Sequence, residues 1–441
     1  MVDAEAFTAE LARWLLPWAA RAGLGPRLVE SPEEVLGEFL TTGDATQSLG
    51  QAAGVAFYSN SQRWVAELAR LFPGTTVSPN HGDPHAGARS ATRVESDTTY
   101  FLKPDRVDPS AMLRALETRI GLDFGIDVPP AQEIGAHLLQ DSVAEKVPST
   151  LMPTTVREQF WRNAGRATAV LDVLGFNDGH YENVWPTTGG RLVLVDDETL
   201  LVPRLLSPEA ERSVLQTGLI QKPHAKGVLR INSALMARTL TPLAMNYPRV
   251  IRTGAGDLEL RFERPRDTPR TPLTVAYGTM LAYLEDFIAG LREAYDAIHS
   301  VPAADFISTV TNNLHGYTSR LVLNATLNYR AAIARLALLP SGEKDVQSIE
   351  AELSNEKTEA VGSRQVADSE IRQLLGGDVP VFRIGFGEHA VVDPGGQAVG
   401  QISRTALHDM TEVLGALGSG YAQRQEDIVR NQAWRMEDFA S

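Results

Sequence analysis

The run Asp178-Gly179-His180-Tyr181-Glu182-Asn183 sets an acid and an amide five positions apart, and the next acid, Asp196, follows 13 residues after Asn183. This is the spacing with which kinases transfer a phosphoryl group: a loop carboxylate, an amide beyond it, and a second carboxylate past a short hairpin. The first carboxylate orients an attacking hydroxyl. The amide oxygen and the second carboxylate would hold Mg²⁺ across a triphosphate, because a hard cation takes oxygen ligands and keeps several waters. The competing explanation is local. Asp178 could cap a turn, Asn183 could sit in a loop, and Asp196 could end a strand, all places where Asp and Asn are common.

A phosphoryl-transfer site also needs a lysine against the α- and β-phosphates. Lys103 ends the apparent strand Thr98–Leu102 and is the candidate, with a solvated surface charge as the alternative. Upstream there is no G-x-G-x-x-G loop. Gly82-Asp83-Pro84-His85-Ala86-Gly87-Ala88-Arg89 stands there instead, so the chain is not an ordinary protein kinase. A third cluster, Ser319-Arg320-Leu321-Val322-Leu323-Asn324-Ala325-Thr326, carries a guanidinium and a hydroxyl six positions apart. On one straight helix those two would not share a face.

The elements that must position these groups follow from patterning. Residues 1–75 read as mostly helical, with Ser31-Pro32 opening a helix over Pro32–Phe39 and helix-period apolar residues from Trp64 to Leu71. A turn at Glu95-Ser96-Asp97 predicts a hairpin ahead of Lys103. A helix near Ala111–Ile120 and short strands around Val128 and Leu138 come next. The stretch 154–175 is helical and apolar on most sides, and Trp161 belongs in the core. Thr187-Thr188-Gly189-Gly190 turns a second hairpin that leads to Asp196. Residues 202–272 read as long irregular loops, including the basic patch RFERPRDTPR, and 273–338 as helix. GGDVPVFRIG reads as a turn and a strand, and the C-terminus as helix. His299, His315 and His408 read as surface or packed residues of helical segments.

Composition narrows the class. With 441 residues, 43% of them hydrophobic and 22% charged, the chain can bury a sizeable core. A formal charge of −14 argues against a general nucleic-acid binder. The absence of cysteine rules out disulfides, thiolate-bound zinc and thiol nucleophiles, and fits a cytoplasmic location. The N-terminus lacks the basic start and apolar run of a secretory signal, and no apolar stretch reaches the ~20 residues needed to span a bilayer.

Taken in order, the segments GDPHAGAR, YFLKPDRV, GFNDGHYENVW, LVLVDDETL, SVLQTGLI, SRLVLNATLNY and LLGGDVPVF resemble the dehydratase domain of class II lanthipeptide synthetases. The resemblance implies an α+β, bilobal, lipid-kinase-like catalytic fold with additional N- and C-terminal helices. The expected division is an N-terminal helical region over 1–75, an N-lobe over 76–150, a C-lobe with the catalytic and metal-binding loops over 151–340, and a C-terminal helical extension over 341–441.

It also implies a two-step reaction. ATP, with Mg²⁺, phosphorylates Ser or Thr of a leader-bearing precursor peptide; the phosphate is then eliminated to leave dehydroalanine or dehydrobutyrine. On this match Asp178 positions or deprotonates the hydroxyl, with His180 in the same loop. Asn183 and Asp196 hold Mg²⁺, and Lys103 contacts phosphate in both steps. Asp83 and His85 fall on active-site positions tied to elimination, and Arg320 and Thr326 on the elimination pair. Pro84, Asp105 and Asn324 depart from the pattern, which usually has Ser, Arg and a second Arg there, and so weaken the charge that neutralises phosphate. The chain is expected to lack the zinc-dependent cyclase, so a separate cyclase or other peptide-modifying enzyme is the expected partner, with no nucleic acid and no membrane span. Two alternatives remain: a peptide kinase that stops at the phosphorylated product, and a catalytically inert partner that only binds leader peptide.

Overall fold

The hairpin expected ahead of Lys103 forms, with Ser96 N–H donating to Thr98 O at 3.1 Å across its turn. The computed structural model describes residues 49–78, 85–87, 89–103, 108–143, 146–205, 212–221, 233–236, 247–252, 258–263, 271–314, 316–326, 328–329, 332, 343–362 and 364–438. The N-terminal helix expected over Pro32–Phe39 lies outside them, as do Asp83, Pro84, Asp105 and His315.

Helix α1 (Leu49–Leu71) leads into β1 (Thr76–Ser78), β2 (Thr92–Glu95) and β3 (Thr99–Lys103). After α2 (Ser110–Ile120) come β4 (Ile126–Asp127), β5 (Ala131–Ile134) and β6 (His137–Asp141). Five of these strands make an antiparallel sheet in the order β1-β2-β3-β6-β5. Trp64 and Leu68, one turn apart on α1, pack with Val77, Val94, Leu102 and Leu139, so the helical period of α1 meets the two-residue period of the strands in one small core. That core fixes β3, and Lys103 emerges at its end opposite Leu138 of β6.

Helix α3 (Thr154–Val173) is buried along most of its length, with Trp161 fully enclosed. It is followed by β7 (Val184–Pro186) and β8 (Leu192–Leu194), the second expected hairpin, with β4 added in parallel to β8. The stretch 202–272, expected as loops, contains an antiparallel pair, β9 (Tyr247–Arg252) and β10 (Leu258–Glu263). Helices α4 (Pro272–Tyr277), α5 (Leu284–His299) and α6 (Ala303–Asn312) then appear as expected. The helical expectation fails at β11 (Thr318–Arg320), which pairs with a strand more than 60 residues away. Non-local pairing has overridden local helical preference there.

The last part holds α7 (Glu343–Leu353), α8 (Glu356–Val361), α9 (Arg364–Leu375), β12 (Arg383–Gly385), β13 (Ala390–Val392), β14 (Ala398–Gln401), α10 (Ala406–Ala416) and α11 (Tyr421–Asp438). The stretch 341–441 is therefore not helical alone. Its three strands join β11 in a sheet ordered β11-β12-β13-β14, over a core of Leu321, Leu323, Val361, Val366, Phe382, Ile384, Val391 and Val399. The whole is an α+β fold.

The largest core forms around α3 and α5. The two backbones touch because each helix places a glycine at the crossing: a Cβ on Gly165 would overlap Phe287 O, and one on Gly290 would overlap Arg162 O. Trp161 Nε1 donates to Tyr277 O at 3.0 Å, and Phe160 stacks on the Tyr277 ring at 3.9 Å. Because the neighbours are backbone and cannot rotate away, Gly290→Ala is expected to lower unfolding free energy by about 1–3 kcal/mol, as overpacking does. A urea unfolding curve measures it, and an unchanged midpoint would contradict this packing.

Candidate active site

The loop after α3 is held from below. Gly179 N–H donates to Thr217 O at 2.8 Å, and Ala234 N–H donates to Gly179 O at 2.9 Å. A Cβ at Gly179 would lie 2.7 Å from Thr217 O, so only glycine permits this approach. Arg212, at the foot of the supporting segment, is buried beside Asp172 of α3, and Asp172 also accepts the hydroxyls of Tyr295 (2.8 Å) and Tyr421 (2.7 Å). The loop thus rests on a segment tied to the main helical core.

The five-residue spacing closes as a side-chain bond: Asn183 Nδ2 donates to both the backbone O and Oδ2 of Asp178, each at 3.1 Å. With its NH₂ turned to Asp178, the Asn183 amide keeps its oxygen as an acceptor. His180 Nδ1 accepts from Glu182 N–H at 3.2 Å, which assigns the ring proton to Nε2, 3.7 Å from Asp178 Oδ1. Val195 N–H donates to Asn183 O at 2.8 Å, extending the β7–β8 ladder and delivering Asp196 beside the loop.

Three consecutive acids then take different partners. Asp197, 1% exposed, lies 3.7 Å from Lys103 Nζ, which also donates to Val195 O at 2.5 Å. Glu198 Oε1 meets Arg320 Nη1 at 2.5 Å, and Arg320 N–H donates to Glu198 O at 2.7 Å. Asp196 is left among like charges. Burial, then Glu198 and Asp178, push its carboxyl up to about 7 against the pull of Lys103 and Arg320. Burial also lifts Asp197 to about 6, opposed by Lys103. Glu198 goes the other way: burial would raise it, but Arg320, His85 and Arg383 hold it down at about 2. Burial works against the charge of Lys103, yet Asp197, Asp196 and Glu198 outweigh it and raise its pKa.

The segment around His85 reaches the same place by docking on the chain before β12. His85 Nδ1 lies 2.6 Å from Val379 O, and Gly87 N–H donates to Asp378 Oδ2 at 2.8 Å. Of the residues singled out in the sequence, Lys103, Asp178, His180, Asn183, Asp196, Arg320 and His85 therefore join one electrostatic cluster. Thr326 is partly buried six residues after Arg320, beyond the end of β11. Asp83 lies outside the described residues. Asn324, expected as a site departure, is a structural residue: Nδ2 donates to Leu353 O (2.9 Å) and Glu370 Oε1 (3.2 Å), and Oδ1 accepts from Asn355 (2.8 Å).

Sequence reasoning missed Asp197, Glu198 and Arg383 as members of the site. The first two stood inside LVLVDDETL, but nothing in a run of three acids says which faces which cation. Arg383 stood in a strand with no chemical pattern of its own.

The donor set suits a hard divalent cation. Asp196 is an acid crowded by acids, Asn183 pairs through its backbone O with Val195, the residue before Asp196, and Asp197 Oδ2 is buried without a hydrogen-bond partner among the described residues. Among the described residues no three His, Cys, Asp or Glu side chains gather as a protein-only metal cage. A mostly apolar cavity of about 260 Å³ is lined by Tyr181, Glu182, Trp185, Pro186 and Leu273 among others; Lys103 and Asp196 are not part of its wall.

The fold and this cluster define an α+β protein with a polar site shared between the five-stranded sheet, the loop after α3 and the β11–β12 sheet. The chain belongs to the family described as Domain of unknown function (DUF4135), whose model matches residues 64–385 and so spans every part of that site. No curated protein matches the chain. Among the described residues no helix is long and apolar enough to cross a membrane.

Proposed function

We propose that the chain is a kinase-like dehydratase, similar to the dehydratase domain of class II lanthipeptide synthetases, which uses ATP and Mg²⁺ to convert Ser and Thr of a precursor peptide to dehydroamino acids. The observation that carries this reading is the convergence of a strand lysine (Lys103), a loop acid tied to an amide (Asp178–Asn183) and a post-hairpin acid (Asp196) with a guanidinium (Arg320) from a distant strand. The first three groups suit phosphoryl transfer. The fourth has no necessary part in transfer but is suited to a departing phosphate. The bilobal, lipid-kinase-like arrangement, the leader-bearing substrate, a separate cyclase partner and a cytoplasmic location belong to the same reading.

Asp178 orients and takes the proton of the substrate hydroxyl, and His180, with its Nε2 proton toward Asp178, steadies that carboxylate. Asn183 and Asp196 would hold Mg²⁺, which supplies charge neutralisation across the phosphates. Lys103 is kept charged by the acids around it and so remains available to phosphate oxygens in both steps. For elimination, a basic group of the site takes the substrate α-proton, the Cα–H electron pair forms the Cα–Cβ double bond, and the Cβ–O pair leaves with the phosphate, whose negative charge Arg320 stabilises. His85, which contributes to the field at Glu198, stands near enough to share that work, with Asp83 and Thr326 assigned to it by resemblance.

The second reading, a kinase that stops at phosphopeptide, draws on Asn324, which is bound up in the Glu370–Asn355 network and offers no cation. One experiment separates the readings. The protein is incubated with ATP, Mg²⁺ and a precursor peptide encoded beside its gene, and the peptide is weighed. Loss of water supports the dehydratase, a stable gain of phosphate the kinase, and no change a binding partner without turnover.

A further inference from the structure

We propose that Arg383 supplies a second guanidinium to the phosphate seat built on Arg320, with Glu198 as the residue that holds the two cations together. The role of the seat in elimination rests on the reading above; its capacity to bind a phosphate anion does not.

The argument begins with register. Arg320 ends β11 and Arg383 begins β12, and the two are direct antiparallel partners. Directly opposed residues present their side chains on the same face, close together, and like charges so placed repel. Two guanidiniums in that position need an anion between them, and Glu198 is there. Its Oε1 is 2.5 Å from Arg320 Nη1, and its Oε2 is 4.0 Å from Arg383 Nη2. The three side chains are 13%, 16% and 17% exposed, so the cluster is partly buried yet not sealed.

One carboxylate with an oxygen toward each of two guanidiniums is a small version of what a phosphoryl group offers. A phosphate has more oxygens and a higher charge, and a guanidinium carries five N–H donors in a planar fork. Glu198 also places the pair. Its backbone O takes Arg320 N–H at 2.7 Å, and it lies two residues after Asp196 and next to Asp197, the partner of Lys103. A phosphate that meets Lys103 is therefore already beside the Arg320–Arg383 face. The location also resolves the lack of a second arginine at Asn324: that position is buried structure, and the second cation comes from the neighbouring strand.

The test uses the full chain and inorganic phosphate, with calorimetric titration of the wild type, Arg383→Ala and Arg383→Lys, each first checked for folding by its thermal transition. Arg383→Ala is expected to weaken phosphate binding roughly 10–100-fold, the effect of losing a charge-assisted contact. Arg383→Lys keeps a charge beside Glu198 and hence the fold, but loses the fork; it should bind with intermediate affinity. Equal phosphate affinity in the wild type and a folded Arg383→Ala or Arg383→Lys would overturn the seat, and so would a wild type that binds no phosphate.

The same variants are then given the precursor peptide with ATP and Mg²⁺. If the wild type dehydrates it, Arg383→Ala should accumulate phosphopeptide. If phosphate binding depends on Arg383 but the wild type leaves the peptide unchanged, the seat stands and the dehydratase reading falls. If the wild type dehydrates and the variants match it in both rate and phosphate affinity, the dehydratase reading stands and the seat falls.

Discussion

Asp178→Asn is expected to leave the precursor peptide at its starting mass, whereas Arg320→Ala is expected to stop it at the phosphopeptide. The difference follows from charge. Asp178 is the carboxylate held by Asn183 Nδ2 at 3.1 Å, and attack of a hydroxyl on ATP needs an acceptor for its proton. An amide in its place accepts no proton, so the first step fails and nothing follows. Arg320 lies at the other end of the cluster, on β11, paired with Glu198. On the proposed reading, its loss leaves the phosphoryl-transfer groups in place but removes a fixed positive charge from where the leaving phosphate would gather negative charge. Losing one such stabiliser typically costs roughly 10²–10³ in rate, enough for the intermediate to build up. A time course of peptide mass for both variants reads the outcome directly. Unmodified peptide from Arg320→Ala would show that the two residues do not divide the labour in this way. A wild type that itself halts at phosphopeptide would favour the kinase reading, with the departures at Pro84 and Asp105 as the positions to restore first.

Asp196→Ala and Asn183→Ala are each expected to abolish both steps, by more than about 10³-fold, since each loses an electrostatic element on which transfer depends and the second step has no substrate without the first. The two variants should differ in a second measurement. Asp196 is an acid crowded by Glu198 and Asp178, so its removal relieves repulsion and should leave the thermal transition unchanged or raised. Asn183 ties the loop to Asp178 through two hydrogen bonds and is 8% exposed, so its truncation should lower it. Magnesium titration followed by tryptophan fluorescence should show weakened binding in both. ATP-dependent phosphorylation surviving in either variant would rule out this pair as the metal-holding groups.

Much of the local structure was legible in the sequence because it is stabilised locally. The Glu95–Asp97 and Thr187–Gly190 turns are closed by hydrogen bonds within a few residues, the apolar character of α3 is written in its own sequence, and the Asp178–Asn183 loop is closed in part from within. The loop's spacing is even closed by a bond between its own ends. Period and spacing report such contacts directly. The choice of Lys103, Asp178, Asn183 and Asp196 as residues with chemistry to do rests on the same spacing, whereas the α+β class and the role of Arg320 come only with the resemblance to the lanthipeptide dehydratases.

What the tertiary structure alone decided is which charge faces which. Lys103 takes Val195 O, 92 residues away, and His85 meets Val379 O, 294 residues away; no local pattern encodes either pairing. Asp196, Asp197 and Glu198 are interchangeable as a run of acids, and only the packing of three sheets around them sends one to the loop, one to Lys103 and one to Arg320. The same holds for β11. Its residues sit among helical neighbours and read as helix, but pairing with β12 replaces the helical ladder with an interstrand one, carries Arg320 onto a strand and sets Arg383 beside it. A residue's chemical type is local, whereas its electrostatic partner is set by contacts that only the folded chain can make.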